Sequence, residues 1–374
     1  MKNKIFKYDF LVVGGGLVGC LAAIALFKKK YKVLLIEKNE TLPNDQRTLA
    51  VNANSRDFLK NLGIWEELKT EQEPINKIMI KDYINKEDLI FQNESESMGS
   101  VIFNRSLLKI SRNFLKKNKL YINGTNVNLN NIKSKSKISI NQKDFLFKKI
   151  IISTGKNTNE FDFLDKNTFS SMHNAYVGFF DHKKNHNQTA YEIFTSDGPL
   201  AVLPSPSEQK KSSTFIFSTK NKMSHNSLLM LLKDNFYRSH GKISLKPSIG
   251  FFPIAPHLSQ SIQKDILIIG DAAHSIHPVA GQGWNLGIKD IQELCKCLTN
   301  YSLDDINFDE IYASKRITEN FGYLIFTNLI NFLYESKQPI AKSFIKASFA
   351  TLNKFSYLRK MFIKQAMGKI NLVV

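Results

Sequence analysis

The chain has 374 residues, of which 43% are hydrophobic, and its 52 Lys and Arg against 33 Asp and Glu give a net charge of +19. This length allows two or three domains with sizeable cores, and no apolar run approaches the ~18 residues of a membrane-spanning helix. The lysines are scattered and accompany no zinc-finger or RNA-binding signature, so we expect no nucleic-acid partner, although diffuse positive charge suits an anionic lipid surface.

The cysteines and the N-terminal residues bear on the compartment. Cys20, Cys295 and Cys297 are too few and wrongly spaced for a disulfide framework or a zinc site. The basic first eight residues run into a strand pattern without the apolar core of a signal peptide. We therefore expect a cytoplasmic protein.

A dinucleotide-binding pattern comes first in chain order. An apolar strand ends at Val13, three glycines follow in G-x-G-x-x-G spacing, and a helix then leads to a second strand that ends at Glu37. Glycine permits the tight turn, the approach of a pyrophosphate and the contact of helix with strand. Glu37 can bind a ribose hydroxyl and would repel a 2′-phosphate, which favours FAD or NAD over NADP. The residues assigned to this ligand are Gly14, Gly16, Leu17, Val18, Gly19, Glu37 and Lys38.

Three further residues stand at the ends of predicted elements, and the family resemblance described below implies that they contact the same ligand. Arg47 precedes a short helix predicted at residues 56–62, Asn104 begins another helix after an apolar strand, and Gly155 follows a predicted return strand at 145–152. Arg47 could instead be an ordinary surface charge, and Asn104 could act only as a helix cap.

The central part of the chain reads as a second unit. Between residues 173 and 252, short apolar strands alternate with polar loops, which predicts an antiparallel sheet with one face over a cavity. His182, His186 and His225 lack the spacing of metal ligands, so we expect them at the surface.

A strand at residues 266–269 delivers an acidic residue to a glycine-rich turn. Asp271 can accept hydrogen bonds from sugar or ribityl hydroxyls, and the glycines that follow open a helix whose bare N–H groups face a pocket. The candidate ligand-binding residues of this segment are Gly270, Asp271, Pro278, Gly281, Gln282, Gly283, Trp284 and Asn285. Beyond residue 290 the pattern is helical.

The run from Gly270 to Asp290 resembles the second FAD fingerprint of the flavin-dependent aromatic hydroxylases, in the form GDAAHxxHPxAGQGxNxGxxD of the ubiquinone-biosynthesis (polyprenylphenol) hydroxylases. The similarity extends over nearly the whole chain, through residues 45–55, 101–108, 198–204, 312–316 and 358–368. It implies an α/β fold with a Rossmann-like FAD-binding domain of the aromatic hydroxylase type, an antiparallel β-sheet substrate domain and a C-terminal helical region. The implied divisions are 1–75, 95–170 and 257–300 for FAD, 76–94 and 171–256 for substrate, and 301–374 for the helices.

The resemblance also implies an activity. It is that of an FAD-dependent monooxygenase that takes electrons from transiently bound NAD(P)H and, with O2 and through a flavin hydroperoxide, hydroxylates the ring of a prenylated phenol in ubiquinone biosynthesis. Catalytic roles then fall to His277, Pro278, Gly281 and Gln282. His274 or His277 could relay the phenol proton, or both could only orient their loop by hydrogen bonding.

One departure from the family pattern keeps alternatives open. Thr154 stands where the family has an acidic residue in G-x-D-G-x-x-S, a residue that in the family bears on the use of NADPH. The alternatives are a related flavin monooxygenase for another aromatic or apolar substrate, and a flavin-binding subunit of low activity in a quinone-biosynthesis complex.

The last predicted helix, at residues 355–367, has an apolar stripe with lysines elsewhere on its surface. Such a helix could lie on a membrane or pack on the protein's own core. Because a polyprenylphenol stays in the bilayer, we expect a peripheral protein at the inner face of the cytoplasmic membrane, in contact with other ubiquinone-biosynthesis proteins.

Overall fold

The computed structural model describes residues 5–68, 70–85, 88–127, 137–140, 143–156, 161–169, 173–261, 264–277 and 281–370. The α-helices of this part of the chain are α1 Leu17–Lys28, α2 Ala53–Asn61, α3 Asn104–Lys117, α4 His225–His240, α5 Gln282–Asn300, α6 Phe308–Glu335, α7 Pro339–Lys354 and α8 Ser356–Ala366. The strands are β1 Ile5–Val13, β2 Val33–Glu37, β3 Thr48–Asn52, β4 Gln72–Ile75, β5 Lys77–Asp82, β6 Leu89–Gln92, β7 Gly99–Phe103, β8 Tyr121–Asn123, β9 Lys137–Ile140, β10 Lys143–Ile152, β11 Leu164–Thr168, β12 Asn174–His182, β13 Thr189–Thr195, β14 Gly198–Pro204, β15 Ser212–Thr219, β16 Ile243–Pro253, β17 His257–Ser261, β18 Ile266–Ile268 and β19 His274–Ser275. Short 3-10 helices span Trp65–Leu68 and Gly270–Ala272.

A parallel sheet forms the first layer, in the order β8-β2-β1-β10-β18, with β9 antiparallel on β10. Successive residues of β1 alternate between two cores: Phe10 and Val12 belong to the core that also includes α1 and α5, whereas Leu11 and Val13 belong to the core on the opposite face. Burial on both faces explains why the central strands are apolar throughout. The carboxyl ends of β1, β10 and β18 therefore meet at one edge of this sheet.

A second sheet has the order β16-β12-β15-β14-β13-β5-β6, and its pairs are antiparallel except for the parallel pair β5 and β13. Helix α4 packs on one face of this sheet through Leu228, Leu232 and Phe236, which are spaced four residues apart. The sequence pattern did not predict this helix, because the polar residues that surround the three apolar ones look like those of the neighbouring loops. Ser224 begins the helix, since its hydroxyl accepts a hydrogen bond from the Ser227 amide.

The surface positions expected for two histidines were wrong. His182 and His186 are 5% and 2% exposed, and the ring of His182 lies 4.5 Å from that of His240. Burial beneath α4 explains the difference, and only His225 of the three predicted positions is exposed.

Helices α6, α7 and α8 cover the remaining face of the second sheet, where a small core joins Phe91 of β6 to Ile345 and Phe349 of α7. Within the described part of the chain, none of the helices combines the length and apolar character that crossing a bilayer requires. The predicted fold class, a Rossmann-like α/β unit with a mainly antiparallel sheet and C-terminal helices, is confirmed.

Candidate active site

The three glycines after β1 are required for different reasons. Gly14 has a φ of +107°, and a Cβ there would lie 2.5 Å from the carbonyl oxygen of Ser153 at the end of β10. A Cβ at Gly19 would lie 2.1 Å from the Gly14 carbonyl oxygen. A Cβ at Gly16 would meet no atom within 4 Å, because this glycine faces open space at the start of α1. Packing thus fixes two of these positions, and the third leaves the helix N-terminus open to a ligand.

Glu37 lies at the end of β2 and is 6% exposed. Its Oε2 accepts a hydrogen bond of 2.5 Å from the Gly15 amide, and Arg112 of α3 donates to the Gly15 carbonyl at 2.8 Å. The carboxylate and the guanidinium therefore hold the glycine turn from both sides. Lys38, the next residue, is exposed. Sequence reasoning did not identify Arg112, since nothing in its local pattern distinguishes it from other helix arginines.

The second glycine-rich segment packs directly on the first. A Cβ at Gly270 would lie 3.2 Å from the Val18 side chain, and one at Gly287 would lie 2.7 Å from Val18 Cγ2. Val18 of α1 is thus enclosed by the turn after β18 and by helix α5. The two predicted ligand-binding segments, some 250 residues apart in the chain, meet at one place.

A buried ionic network supports this meeting point. Asp290 of α5 accepts hydrogen bonds of 2.7 Å from the Gly270 amide, from His274 Nε2 and from Arg316 Nε. Burial by itself would raise the pKa of the Asp290 carboxyl, but His274 and Arg316 hold it below its usual range. Asp290 is therefore an anion that fixes the turn carrying Asp271. Asp271 itself is exposed.

Asn285 joins α5 to strand β3. Its Nδ2 donates to the carbonyls of Ala50 and Gly281, and its Oδ1 accepts from the Asn52 amide at 3.1 Å. The side chain of Asn52 caps α2 by accepting a hydrogen bond from the Ser55 amide. Gly281 has a φ of +62° and caps the start of α5.

Arg47 immediately precedes strand β3 and lies within electrostatic reach of Asp271. Its guanidinium pairs with Asp45 at 2.8 Å and lies over the ring of Phe252 at 5.2 Å. The hydrogen bond to Asp45 raises the pKa of Arg47 against the effect of burial, and the charge of Asp271 adds to this. Arg47 also accepts, through its carbonyl, a hydrogen bond from the Asn104 amide. The structure thus places Arg47 beside both Asn104 and Asp271, although half of its side chain is exposed.

His277 is 2% exposed and lies edge-on to His173, with 5.3 Å between the ring centroids. Burial, and then the neighbouring His173, lower the pKa of His277 to about 3, so its ring is neutral at ordinary pH. Neither ring nitrogen has a hydrogen-bond partner among the described residues. His274 instead serves the ionic network through Asp290. Pro278, also predicted to be catalytic, lies outside the described residues.

The open edge of this site lies at Gly16, Thr154, Gly155, Gly283 and Trp284, and we call it the FAD cradle. A Cβ at Gly155, after β10, or at Gly283, in the first turn of α5, would meet no atom within 4 Å, as at Gly16. Thr154 Oγ1 and Trp284 Nε1 are buried atoms without a hydrogen-bond partner in the described structure. Open helix starts suit a pyrophosphate and a flavin ring, and unpaired donors suit their polar edges. These residues therefore fit FAD.

A cavity of about 480 Å³ extends from this cradle to the molecular surface. Its near end is bounded by Ala50, Gly281 and Gln282. Its walls come from the second sheet on one side and from helices α6, α7 and α8 on the other. Leu329, Phe344 and Phe362 line the cavity and are also 42% to 56% exposed, so it opens between these helices.

Comparisons with known proteins agree with this geometry. The family model for the FAD binding domain matches residues 7–139 and 245–302, just over half of the chain. The ubiquinone biosynthesis monooxygenase COQ6 of Caenorhabditis elegans is 24% identical, covering 96% of this chain and 94% of its own. The ubiquinone hydroxylase UbiL of Rhodospirillum rubrum is also 24% identical, over 97% and 90%. The crystal structure of p-nitrophenol 4-monooxygenase from Pseudomonas putida superposes with a TM-score of 0.77 at 14% identity, over 97% and 98%.

The fold and the site define a flavoprotein, and the chain belongs to the FAD-binding domain family. FAD is its cofactor, as the sequence predicted. Its relatives include a monooxygenase and a hydroxylase of ubiquinone biosynthesis, so the predicted resemblance and the enzyme class, an FAD-dependent monooxygenase, are confirmed.

Proposed function

We propose that this enzyme hydroxylates the aromatic ring of a prenylated phenol in ubiquinone biosynthesis, using NAD(P)H and O2. The observation that carries the proposal is the long apolar cavity, which connects the FAD cradle with a surface opening among Leu329, Phe344 and Phe362. Its volume lies in the range of small-molecule sites, ~300–1,000 Å³. A ring with an apolar tail would place the ring at the cradle and direct the tail to the opening.

In this proposal the cavity keeps a prenyl tail out of water. Exposure of each five-carbon unit to water would cost roughly 3 to 4 kcal/mol at ~0.8 kcal/mol per CH₂ group. The cavity walls match this need, because the sheet contributes Ile78, Ile80 and Ile216 and the helices contribute Ile330 and Phe349. A tail that is transferred from lipid to such walls changes its surroundings little.

The residues proposed to hold FAD are those that surround the cradle. Those at the dinucleotide end are Gly14, Gly16, Leu17, Val18, Gly19, Glu37 and Lys38. Those at the flavin end are Arg47, Asn104, Gly155, Gly270, Asp271, Pro278, Gly281, Gln282, Gly283, Trp284 and Asn285. In this proposal Glu37 and Asn285 act partly by fixing the backbone around the ligand, since protein groups already engage both. We propose the same three-part division of the chain as above.

When bound, FAD supplies the electron transfer and oxygen activation that no amino-acid side chain provides. The proposed roles of the chain's own residues are positioning and proton transfer. The amides at the start of α5, near Gly281 and Gln282, stabilise negative charge with preorganised dipoles. His277 is neutral and its pKa is low, so its proposed role is to relay a proton, taking one up at one ring nitrogen as it releases one from the other, and not to hold the proton of the phenol. The apolar walls exclude water.

We further propose that the enzyme is peripheral to a membrane through the outer face of α6, α7 and α8. Large apolar side chains are exposed there around the cavity opening, namely Phe332, Ile340, Phe344, Phe355, Tyr357, Met361 and Phe362. Exposed lysines accompany them, namely Lys337, Lys342, Lys346, Lys354, Lys360 and Lys364. Apolar groups with surrounding positive charge suit an anionic bilayer surface.

Contacts with other ubiquinone-biosynthesis proteins would use a different face, such as that of α4, where Met230 and Tyr237 are exposed.

A product assay tests the proposed function. The purified enzyme loaded with FAD is given NADPH, O2 and a prenylated phenol in vesicles, and mass spectrometry looks for a product heavier by one oxygen atom. Lipids from cells that lack the enzyme should accumulate the unhydroxylated precursor. Turnover of tail-less phenols alone, with no precursor accumulating, would reject a prenylated substrate.

A further inference from the structure

The cavity contains one charged side chain among its described lining residues, Glu192 of β13. Glu192 is 6% exposed. Its neighbours on the adjacent strands are Ala201 of β14 and Ile80 of β5, and both line the cavity. The positions two residues before and after it, Ala190 and Phe194, are lining residues as well. A carboxyl group thus lies in the middle of an apolar wall.

Glu192 lies two residues along β13 from Ala190, which belongs to a small core near the flavin end of the cavity. Ala190 packs with Val101, and Val101 pairs with Ala50 across β7 and β3. Ala50 in turn lies 3.1 Å from the Cβ position of Gly281, at the start of α5. Because side chains on one face of a strand repeat every ~7 Å, Glu192 is one step farther from the cradle than Ala190. Glu192 therefore faces the cavity between Ala190 and Phe194, and Phe194 stacks on Tyr334 of α6.

Burial of a carboxylate costs free energy unless hydrogen bonds or charges compensate for it, and carboxylates in such surroundings are frequent at functional sites. The groups across the cavity, on α6 and α8, include Tyr323, Thr327 and Gln365, and the described lining contains no Lys, Arg or His. A carboxylate has about four acceptor positions, so it can accept a further donor in addition to its contacts within the protein. The ligand that matches this site is an apolar molecule with a neutral hydroxyl donor.

We propose that Glu192 accepts the phenolic hydroxyl of the substrate, and so selects phenols over their ethers and sets the orientation of the ring. This assignment rests on the proposed function and names the residue that determines its specificity. A hydroxyl that donates to a carboxylate also raises the electron density of its ring, which favours hydroxylation.

Binding measurements test this role without turnover. The FAD-loaded enzyme is titrated with nonylphenol and with the methyl ether of nonylphenol, which lacks the donor, and affinities are read by calorimetry. The parent enzyme should prefer the phenol on the order of tenfold or more, because hydrogen bonds to a charged acceptor are strong. Glu192→Leu should remove the preference and Glu192→Gln should reduce it. Glu73→Gln is the matched control, since Glu73 is buried but does not line the cavity, and it should keep the preference.

Equal affinity for the phenol and the ether in the parent enzyme, or an intact preference in Glu192→Leu, would overturn the assignment. Circular dichroism of each variant establishes that it is folded, and the near-isosteric Gln variant provides the comparison if the Leu variant is not. Binding that depends on Glu192 in an enzyme that hydroxylates no phenol would support this role and reject the proposed function. Hydroxylation of a phenol by an enzyme that binds the phenol and its ether equally well would support the proposed function and reject the role of Glu192.

Discussion

Asp290 accepts a hydrogen bond of 2.7 Å from the backbone amide of Gly270, so a residue in the middle of α5 fixes the turn that ends β18. The same carboxylate pairs with Arg316 of α6. The position of the FAD cradle is thereby linked to the helix that forms the roof of the substrate cavity. The similarity over residues 312–316 included Arg316 but did not reveal this role.

Asp290→Asn should destabilise the protein and weaken FAD binding. The substitution removes the anion beside the buried His274 and leaves Arg316 with Glu319 as its remaining charge partner, and removal of one partner of a buried ion pair typically costs about 3–5 kcal/mol. Urea unfolding and the FAD content of the purified variant measure the two effects. Asp304→Asn, which alters an exposed pair with Lys148, should change neither. Normal FAD retention in Asp290→Asn would show that the network does not support the cradle.

Two glycines of α5 should respond to alanine in opposite ways. Gly287→Ala places a methyl group 2.7 Å from Val18 Cγ2, and overpacking of this kind costs roughly 1–3 kcal/mol. Gly283→Ala meets no atom and should stabilise the FAD-free protein by about 0.5–1 kcal/mol, since Ala is the better helix former. It should nevertheless weaken FAD binding, because the methyl group enters the cradle.

Thermal unfolding without FAD and FAD titration separate these effects. Val18→Ala should rescue part of the stability lost in Gly287→Ala by making room for the methyl group. Unchanged FAD affinity in Gly283→Ala would contradict the position assigned to the flavin.

The buried histidines beneath α4 should make stability depend on pH. Burial, with neighbouring histidines and, for His186, Lys210 adding to it, lowers the pKa of His240 to about 3 and that of His186 to about 4, against about 6.5 in an unfolded chain. The unfolded chain therefore binds protons first as the pH falls. The free energy of unfolding should decrease from pH 6.5 toward pH 4, by up to about 1.4 kcal/mol per pH unit for each histidine.

His240→Phe should flatten this dependence relative to the parent enzyme, measured as urea unfolding at several pH values. The exposed His225 provides the control, because His225→Asn should leave the slope unchanged. Parallel curves for the parent and His240→Phe would remove the histidine explanation.

Vesicle binding should depend on the lysines near the cavity opening. Lys346→Glu combined with Lys360→Glu should reduce sedimentation with anionic vesicles by at least about tenfold, since each lysine near such a surface contributes ~1 kcal/mol. Lys233→Glu combined with Lys242→Glu changes the net charge equally at exposed positions elsewhere on the protein. This pair of substitutions should have little effect. Equal losses from both pairs would point to net charge alone and not to a docking face.

The cavity that we propose to hold the substrate tail can be blocked by a larger side chain on α7. Ser348 lines the cavity, whereas Ser343 is exposed on the same helix. Ser348→Trp should therefore impair turnover of phenols with long tails and largely spare tail-less phenols, because the indole fills the channel and not the ring site. Ser343→Trp should leave both activities unchanged. A similar loss for both substrates in Ser348→Trp would place the tail elsewhere.

The sequence predicted those parts of the fold in which one local pattern is sufficient. The turn after β1, the acid that ends β2 and the start of α5 each combine glycines with a strand and a helix within some twenty residues, and each has the predicted conformation. Helix α4 was missed because its apolar residues make up a minority of a polar segment.

Features built from distant parts of the chain could not be predicted in this way. Glu192 is one residue in an ordinary alternating strand, and only the pairing of β13 with β5 and β14 shows that its surroundings are apolar. Arg112 reaches Gly15 across 97 positions of the chain. Tertiary packing determines these roles, and the local sequence pattern contains no information about that packing.

The opening of the cavity among exposed apolar side chains has a kinetic consequence. An enzyme that receives its substrate sideways from lipid responds to the mole fraction of that substrate in the bilayer and not to its amount per volume of water. Dilution with inert phospholipid should then slow turnover at constant total substrate, and detergent micelles would impose their own apparent saturation. Under the proposed membrane role, activities of this enzyme are comparable only at equal surface density of the substrate.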